Sequence, residues 1–310
     1  NNYNMSYREG YFFNKTEYSQ KSVPGIDISK YSLEELKALW RQTLNEGMYG
    51  ICFSMYEDGQ RPGDDISQEQ VERRVKILKP YTGAIRSFSC IEGNEFVPMM
   101  AKKHGLNTLV GAWLSDDKEA NEKEIASLIE LAKKGYVDVA AVGNEVLYRN
   151  DLTLDELVEY IKLVKTAFNH AGLNIPVGYV DAYYEFSQHP IIVENSDVIL
   201  ANLYPYWEGC PIEYALGHMQ AMYGQVVDAA QGKPIIITET GWPSQGGGLR
   251  GAKAGAENAM KYFIDTMKWT KANDIPIYYF SSFDESWKVG PEGEVGAYWG
   301  LWDKQENLKF

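Results

Sequence analysis

The chain of 310 residues is poor in the side chains that build cross-links and metal centres. Its three cysteines, Cys52, Cys90 and Cys210, are odd in number and far apart, which excludes a disulfide framework and a cysteine metal motif. The four histidines, His104, His170, His189 and His218, also lack ligand spacing. No metal and no cofactor is expected. No apolar run is long enough to span a membrane, and no signal peptide opens the sequence, although the Asn-rich start "NNYNMSYREG" is compatible with a removed leader. Positive charge is scarce: 30 Lys and Arg stand against 43 Asp and Glu, for a net charge of −13. Without a basic patch a nucleic acid partner is excluded, and an uncharged ligand fits better. The glycines at 246 to 248 have no phosphate-binding context and read as a flexible rim loop.

What the chain does have is apolar and aromatic. Hydrophobic residues are 45% and charged residues 24%, the balance of a soluble protein with a sizeable core. Aromatics reach 13%, with 22 Tyr and 8 Trp, side chains that combine an apolar face with a polar edge. Such rings suit the faces of sugars, or simply fill a large core; only their positions separate the two.

After a polar leader over residues 1–25, apolar strand-like runs alternate with amphipathic helical patterns through 26–310. The eight runs are "YGICFSMY", "GAIRSF", "NTLVGAW", "VDVAAVGN", "IPVGYVD", "SDVILANLY", "KPIIITE" and "IPIYYFSSF". Ser67 with Gln70 and Thr153 with Glu156 spell capping boxes, and Gly135 and Gly172 close helices as left-handed caps. Runs that are apolar throughout indicate a parallel sheet covered on both faces. The fold class is thus α/β, a (β/α)8 TIM barrel in a single domain, with an open doubly wound sheet as the alternative. No helical pattern follows the eighth strand. A helix over Ser32 to Glu46, with a capping box at Glu35 and a face of Leu36, Trp40 and Leu44, is expected to fill that gap.

In such a barrel chemistry sits at the C-terminal rim, so residues that end strands carry information. The fourth strand ends in Asn144 and Glu145, the seventh in Glu239, and the eighth in Asp284, Glu285 and Lys288. One strand-end carboxylate by itself reads as a helix N-terminal acid. Three units of separation, however, put Glu145 and Glu239 roughly opposite each other across the mouth. Two facing carboxylates are what glycosidic bond cleavage requires, one protonated to assist the leaving oxygen and one ionised to face the anomeric carbon. A separation of ~5 Å leads to retention, and ~6.5 to 9.5 Å to inversion.

The stretches "VGNEV" and "ITETGWPSQG" resemble the acid and nucleophile motifs of glycoside hydrolase family 17, the β-1,3-glucanases and glucanosyltransferases. "GICFSMYEDGQRPG", "AIRSFS", "LVGAW", "ANLYPYWEG", "FDESWK" and "YWGLW" are similar to its bacterial and fungal branch, so the likeness runs from about Tyr49 onward. It implies a retaining β-1,3-glucan hydrolase in which Glu145 is the general acid/base and Glu239 the nucleophile. Asn144 would bind the sugar 2-hydroxyl, Tyr204 would donate to the nucleophile, and Glu285 with Lys288 would complete the floor or form a rim salt bridge. The family pattern usually has Tyr where this chain has Phe88, which removes a hydroxyl near the glycone. Arg86 orients Glu239 or forms a structural ion pair.

Tyr56 and Asp181, which end the first and fifth runs, complete the expected substrate-binding set. Trp113, Trp207, Trp242, Trp287, Trp299 and Trp302 fall at or after strand ends, whereas Trp40 and Trp269 lie on helical stretches and read as packing. Trp207 and Trp287 are the expected stacking platforms; Trp242 either stacks or fixes its loop. The alternatives are a glucanosyltransferase using the same intermediate and a non-catalytic glucan-binding barrel. A monomer is expected, and a neutral glucan partner points to a protein that is secreted, periplasmic or at the cell surface.

Overall fold

The computed structural model describes Phe13 and residues 25–310. The leader expected over 1–25 lies, apart from Phe13 and Gly25, outside the described residues. Eight parallel strands follow one another in chain order: β1 (Gly50–Cys52), β2 (Ala84–Ser87), β3 (Asn107–Ala112), β4 (Val139–Asn144), β5 (Val177–Ala182), β6 (Ile199–Asn202), β7 (Ile235–Glu239) and β8 (Tyr278–Tyr279). Each pairs with its sequence neighbour, β8 also pairs with β1, and a parallel bridge from Ile237 to Ile277 closes the ring. Closure leaves no edge strand, and it explains why β2, β5 and β6 are buried along their whole length: side chains of both faces have neighbours. The barrel is the expected fold, and the open sheet is set aside.

The outer helices are α1 (Leu33–Asn45), α2 (Gln68–Leu78), α3 (Phe96–Lys103), α4 (Lys118–Lys133), α5 (Leu154–His170), α6 (Tyr183–Gln188), α7 (Pro190–Asn195), α8 (Ile212–Ala229), α9 (Ala256–Ala272) and the single turn α10 (Val289–Glu292). Ser32 and Thr153 form full reciprocal capping boxes with Glu35 and Glu156. The box expected at Ser67 is only half made. Ser67 accepts from the Gln70 N–H, but the Gln70 amide donates instead to the Met55 carbonyl at 3.0 Å and to Gln60. That diversion ties α2 to the loop after β1.

The gap after β8 is filled as expected. α1 packs against α9, and Trp40, with no exposed surface, stands 5.9 Å from the Phe263 ring of α9 and 5.2 Å from Phe310. The C-terminal stretch folds back here: Arg41 Nε donates to the Phe310 carbonyl at 2.6 Å, and Lys309 Nζ reaches Asp284 at 2.7 Å and Ser244 at 3.1 Å. Asp284 is thereby committed to the tail and to the Gly300 N–H. No helix among the described residues is long and apolar enough to cross a membrane.

Trp40 substitutes for the core contact that a helix after β8 would make. Trp40→Ala is therefore expected to cost about 3–5 kcal/mol, read from the urea midpoint at unchanged m-value, with the secondary structure retained below the transition.

Candidate active site

β4 is apolar until Gly143 and then departs from strand geometry. Its register with β5 shifts between Ala141 and Asn144, and Gly143 (φ 88°) and Glu145 (φ 53°) are both left-handed. A non-glycine residue in this region is strained by about 1–2 kcal/mol, so the surroundings must hold it. The Glu145 N–H donates to the Val180 carbonyl of β5 at 2.8 Å, and its carbonyl accepts from the Arg149 N–H at 3.1 Å. The result is a carboxylate that leaves the strand and turns into the barrel mouth, fully buried. Its Oε1 accepts from Asn202 Nδ2 at 3.0 Å. Asn202 ends β6, and its Oδ1 accepts from Thr238 Oγ1 at 2.7 Å, which fixes the amide with its nitrogen toward Glu145.

Glu239, equally buried, stands in a different environment. Arg86 Nη1 donates to its Oε2 at 2.5 Å, and the Tyr204 hydroxyl donates to its Oε1 at 2.8 Å. Both oxygens thus accept from strong donors. Burial first and Glu239 next raise the Tyr204 hydroxyl well above the ordinary phenol range, so it keeps its proton and donates. Arg86 also gives Nη2 to Asn144 Oδ1 at 3.0 Å, so one guanidinium ties the end of β4 to the end of β7. Phe88 lies under it, 4.2 Å from the guanidinium carbon to the ring centroid. The Phe88 ring thus presents its face to the cation, without the hydroxyl a Tyr would add.

The loop after β8 supplies the floor. Lys288 Nζ stands 3.2 Å from Glu285 and 4.4 Å from the Phe280 ring. Burial would lower the Lys288 pKa, but Glu285 and then Glu292 outweigh it and raise it. Trp287 Nε1 donates to Glu285 Oε2 at 2.8 Å and meets Tyr56 edge-on at 6.0 Å, so Tyr56, Glu285 and Trp287 gather as one group. Trp207 packs at 5.5 Å against Trp299, which itself stands edge-on to Tyr204. Trp242 is only 2% exposed, packs edge-on against Tyr206 and tilted against Tyr262, and donates to the Lys253 carbonyl at 2.8 Å; it fixes its loop. Asp181 is fully buried, with one oxygen on the Tyr179 hydroxyl and the other on the Ala182 N–H at 2.7 Å.

Three neighbours escaped sequence reasoning. Asn202 and Thr238 sit in apolar runs, where a strand-end polar residue was a usable signal. Glu292 carried none: it lies in the single turn α10, and only the folded loop buries it near Lys288. Burial pushes the Glu292 carboxyl up to about 8, against the opposing pull of Lys288.

Residues 50–300 match the model of the BtgE/BtgC glycoside hydrolase domain. The chain is 30% identical over 273 residues to the glucan 1,3-beta-glucosidase of Arthroderma benhamiae, covering 80% of this chain and 85% of that protein. It belongs to glycoside hydrolase family 17. The glucan 1,3-beta-glucosidase of Saccharomyces cerevisiae is 27% identical over 269 residues, 79% of this chain and 85% of that protein. Among solved structures, the family 17 β-1,3-glucanosyltransferase of Rhizomucor miehei superposes with a TM-score of 0.76 at 32% identity, over 86% of this chain and 96% of that one.

Beside the mouth of this family 17 barrel, Glu208 follows Trp207 and is 4% exposed. It accepts from the Tyr183 hydroxyl at 2.8 Å and meets His218 Nε2 at 2.8 Å. Burial pushes Glu208 up to about 8 and His218 down to about 4, so at neutral pH this is an uncharged pair. A carboxyl with a raised pKa stabilises the fold fully below its unfolded value of about 4.3 and loses that contribution as pH rises through the folded value. His218 has the opposite sign: its contribution is lost only as pH falls below about 6.5. Between pH 6.5 and 8.5, thermal stability should decline, and Glu208→Gln should shrink that decline by about 1–2 kcal/mol, measured by melting curves at each pH.

Proposed function

We propose that this chain is a β-1,3-glucan hydrolase of the retaining type, cleaving laminarin-like chains by double displacement. The observation that carries the reading is the unequal setting of two buried carboxylates from β4 and β7. Glu239 has a guanidinium on one oxygen and a phenol on the other, whereas Glu145 has a neutral amide on Oε1. An ionised nucleophile belongs in the first setting and a protonated acid in the second. The curated names of the relatives, glucan 1,3-beta-glucosidases, support the substrate class.

The chemistry then runs in two steps. Protonated Glu145 gives its proton to the departing glycosidic oxygen while Glu239 attacks the anomeric carbon, forming a glucosyl-enzyme. Glu145, now a base, takes a proton from water, which attacks the same carbon and frees Glu239. Asn144, held by Arg86, is placed to bind the 2-hydroxyl, an interaction that strengthens in the transition state. Tyr56, Trp207, Glu285, Trp287 and Lys288 form the walls and floor that receive the chain, and Phe88 supports Arg86. That one chain supplies both acids supports a monomer as the active unit, and a neutral polysaccharide substrate supports a secreted, periplasmic or cell-surface location.

A second reading is favoured by the 32% identity to the Rhizomucor glucanosyltransferase. There the glucosyl-enzyme passes to a sugar hydroxyl instead of water. Laminari-oligosaccharides distinguish the two: products no longer than the substrate support the hydrolase, and longer products replace it with the transferase.

Glu145→Gln is expected to lower kcat on laminarin by about 10²- to 10⁴-fold, and Glu239→Gln to abolish turnover. Proton NMR of the first-formed reducing end should show the β-anomer. An α-anomer, or full activity in either variant, refutes the double displacement.

A further inference from the structure

The strained conformation of Glu145 needs a support on both sides, and β5 provides one residue that reaches both. Tyr179 and Asp181, two apart, point to the same face of the strand. Tyr179 is fully buried, and its ring lies so close to Gly143 that a Cβ there would stand 3.4 Å from it. Its hydroxyl accepts from the Leu147 N–H at 3.2 Å and donates to the Asp181 carboxyl. One phenol thus touches the chain two residues before Glu145 and two residues after it. Asp181 takes the hydroxyl hydrogen, which leaves an oxygen lone pair for Leu147.

Three groups bear on Asp181: the Tyr179 hydroxyl on its own strand, Glu145 from the loop after β4, and Glu185 from α6, which in turn meets His189 at 3.3 Å. Burial, then Glu145 and Glu185, raise the Asp181 carboxyl well above the usual range. Asp181 is engaged on one oxygen by Tyr179 and on the other by the Ala182 N–H.

We propose that Tyr179, oriented by Asp181, is a positioning residue for the general acid Glu145. This rests on the reading of Glu145 given above. Tyr179 touches no reacting atom; it sets where the proton is delivered. Loss of its hydroxyl should hurt only those substrates whose leaving group needs that proton.

The test uses the full chain and two substrates: laminaritriose, whose sugar leaving group requires protonation, and dinitrophenyl β-laminaribioside, whose leaving group departs without it. In Tyr179→Phe, kcat/KM on laminaritriose should fall about tenfold or more, while kcat/KM on the dinitrophenyl substrate changes by less than about threefold. Asp181→Leu should reproduce that asymmetry. Equal losses on both substrates in Tyr179→Phe, or none, overturn the proposal, as does the absence of that asymmetry in a folded Asp181→Leu. Melting curves accompany each variant, and if Asp181→Leu does not fold, Tyr179→Phe decides. Glu145→Ala measured alongside separates the two levels. If it loses both substrates equally, the general-acid reading itself fails; if it keeps the dinitrophenyl substrate while Tyr179→Phe loses both, only the positioning role falls.

Discussion

The site depends on one buried guanidinium. Arg86, 1% exposed, bonds through Nη1 to Glu239 and through Nη2 to Asn144, joining strands β7 and β4 across the barrel. Removing two opposite charges from water costs several kcal/mol per ion, and their attraction does not reliably exceed that cost. Such a pair is better understood as a geometric device than as a source of stability. A planar fork with fixed donor directions holds one carboxylate and one amide at a set distance and angle, which a lysine ammonium cannot do.

The remainder of the mouth follows from that fixed point. One Glu239 oxygen is taken by the Arg86 guanidinium and the other by the Tyr204 hydroxyl. Glu145, at the end of β4, meets the neutral Asn202 amide and bears on the Asp181 carboxyl. The same barrel therefore gives its two buried carboxyl groups unequal partners, a cation and a phenol for one and a neutral amide for the other. Aromatic packing keeps these distances: Phe88 under the guanidinium, Phe280 under Lys288, and Trp299 against both Tyr204 and Trp207.

Much of this was legible along the chain because barrel periodicity is local. Runs apolar on both faces, caps at Ser32 and Thr153, and carboxylates that end β4 and β7 are all readable within a dozen residues. Arg86 was visible as a strand-end cation, and its partner only as one of two options. The half-made cap at Ser67 and the partners of Asp181 escaped the sequence for a common reason. Gln70 and Asp181 have their expected backbone places, but their side chains bond to residues from other loops or to a neighbour on the same face, and a local pattern cannot choose among acceptors.

Sequence alone determined the alternation of strands and helices, the order of the two acids, and the aromatic richness of the rim, since each follows from residue type and spacing. Tertiary structure decided which polar group meets which: that Asn202 faces Glu145, that Glu292 is drawn toward Lys288, that Trp242 anchors a loop, and that the tail through Lys309 claims Asp284. Those choices are made by closure of the ring, which brings strand ends that are far apart in the chain within hydrogen-bonding reach and excludes the water that would otherwise compete for them.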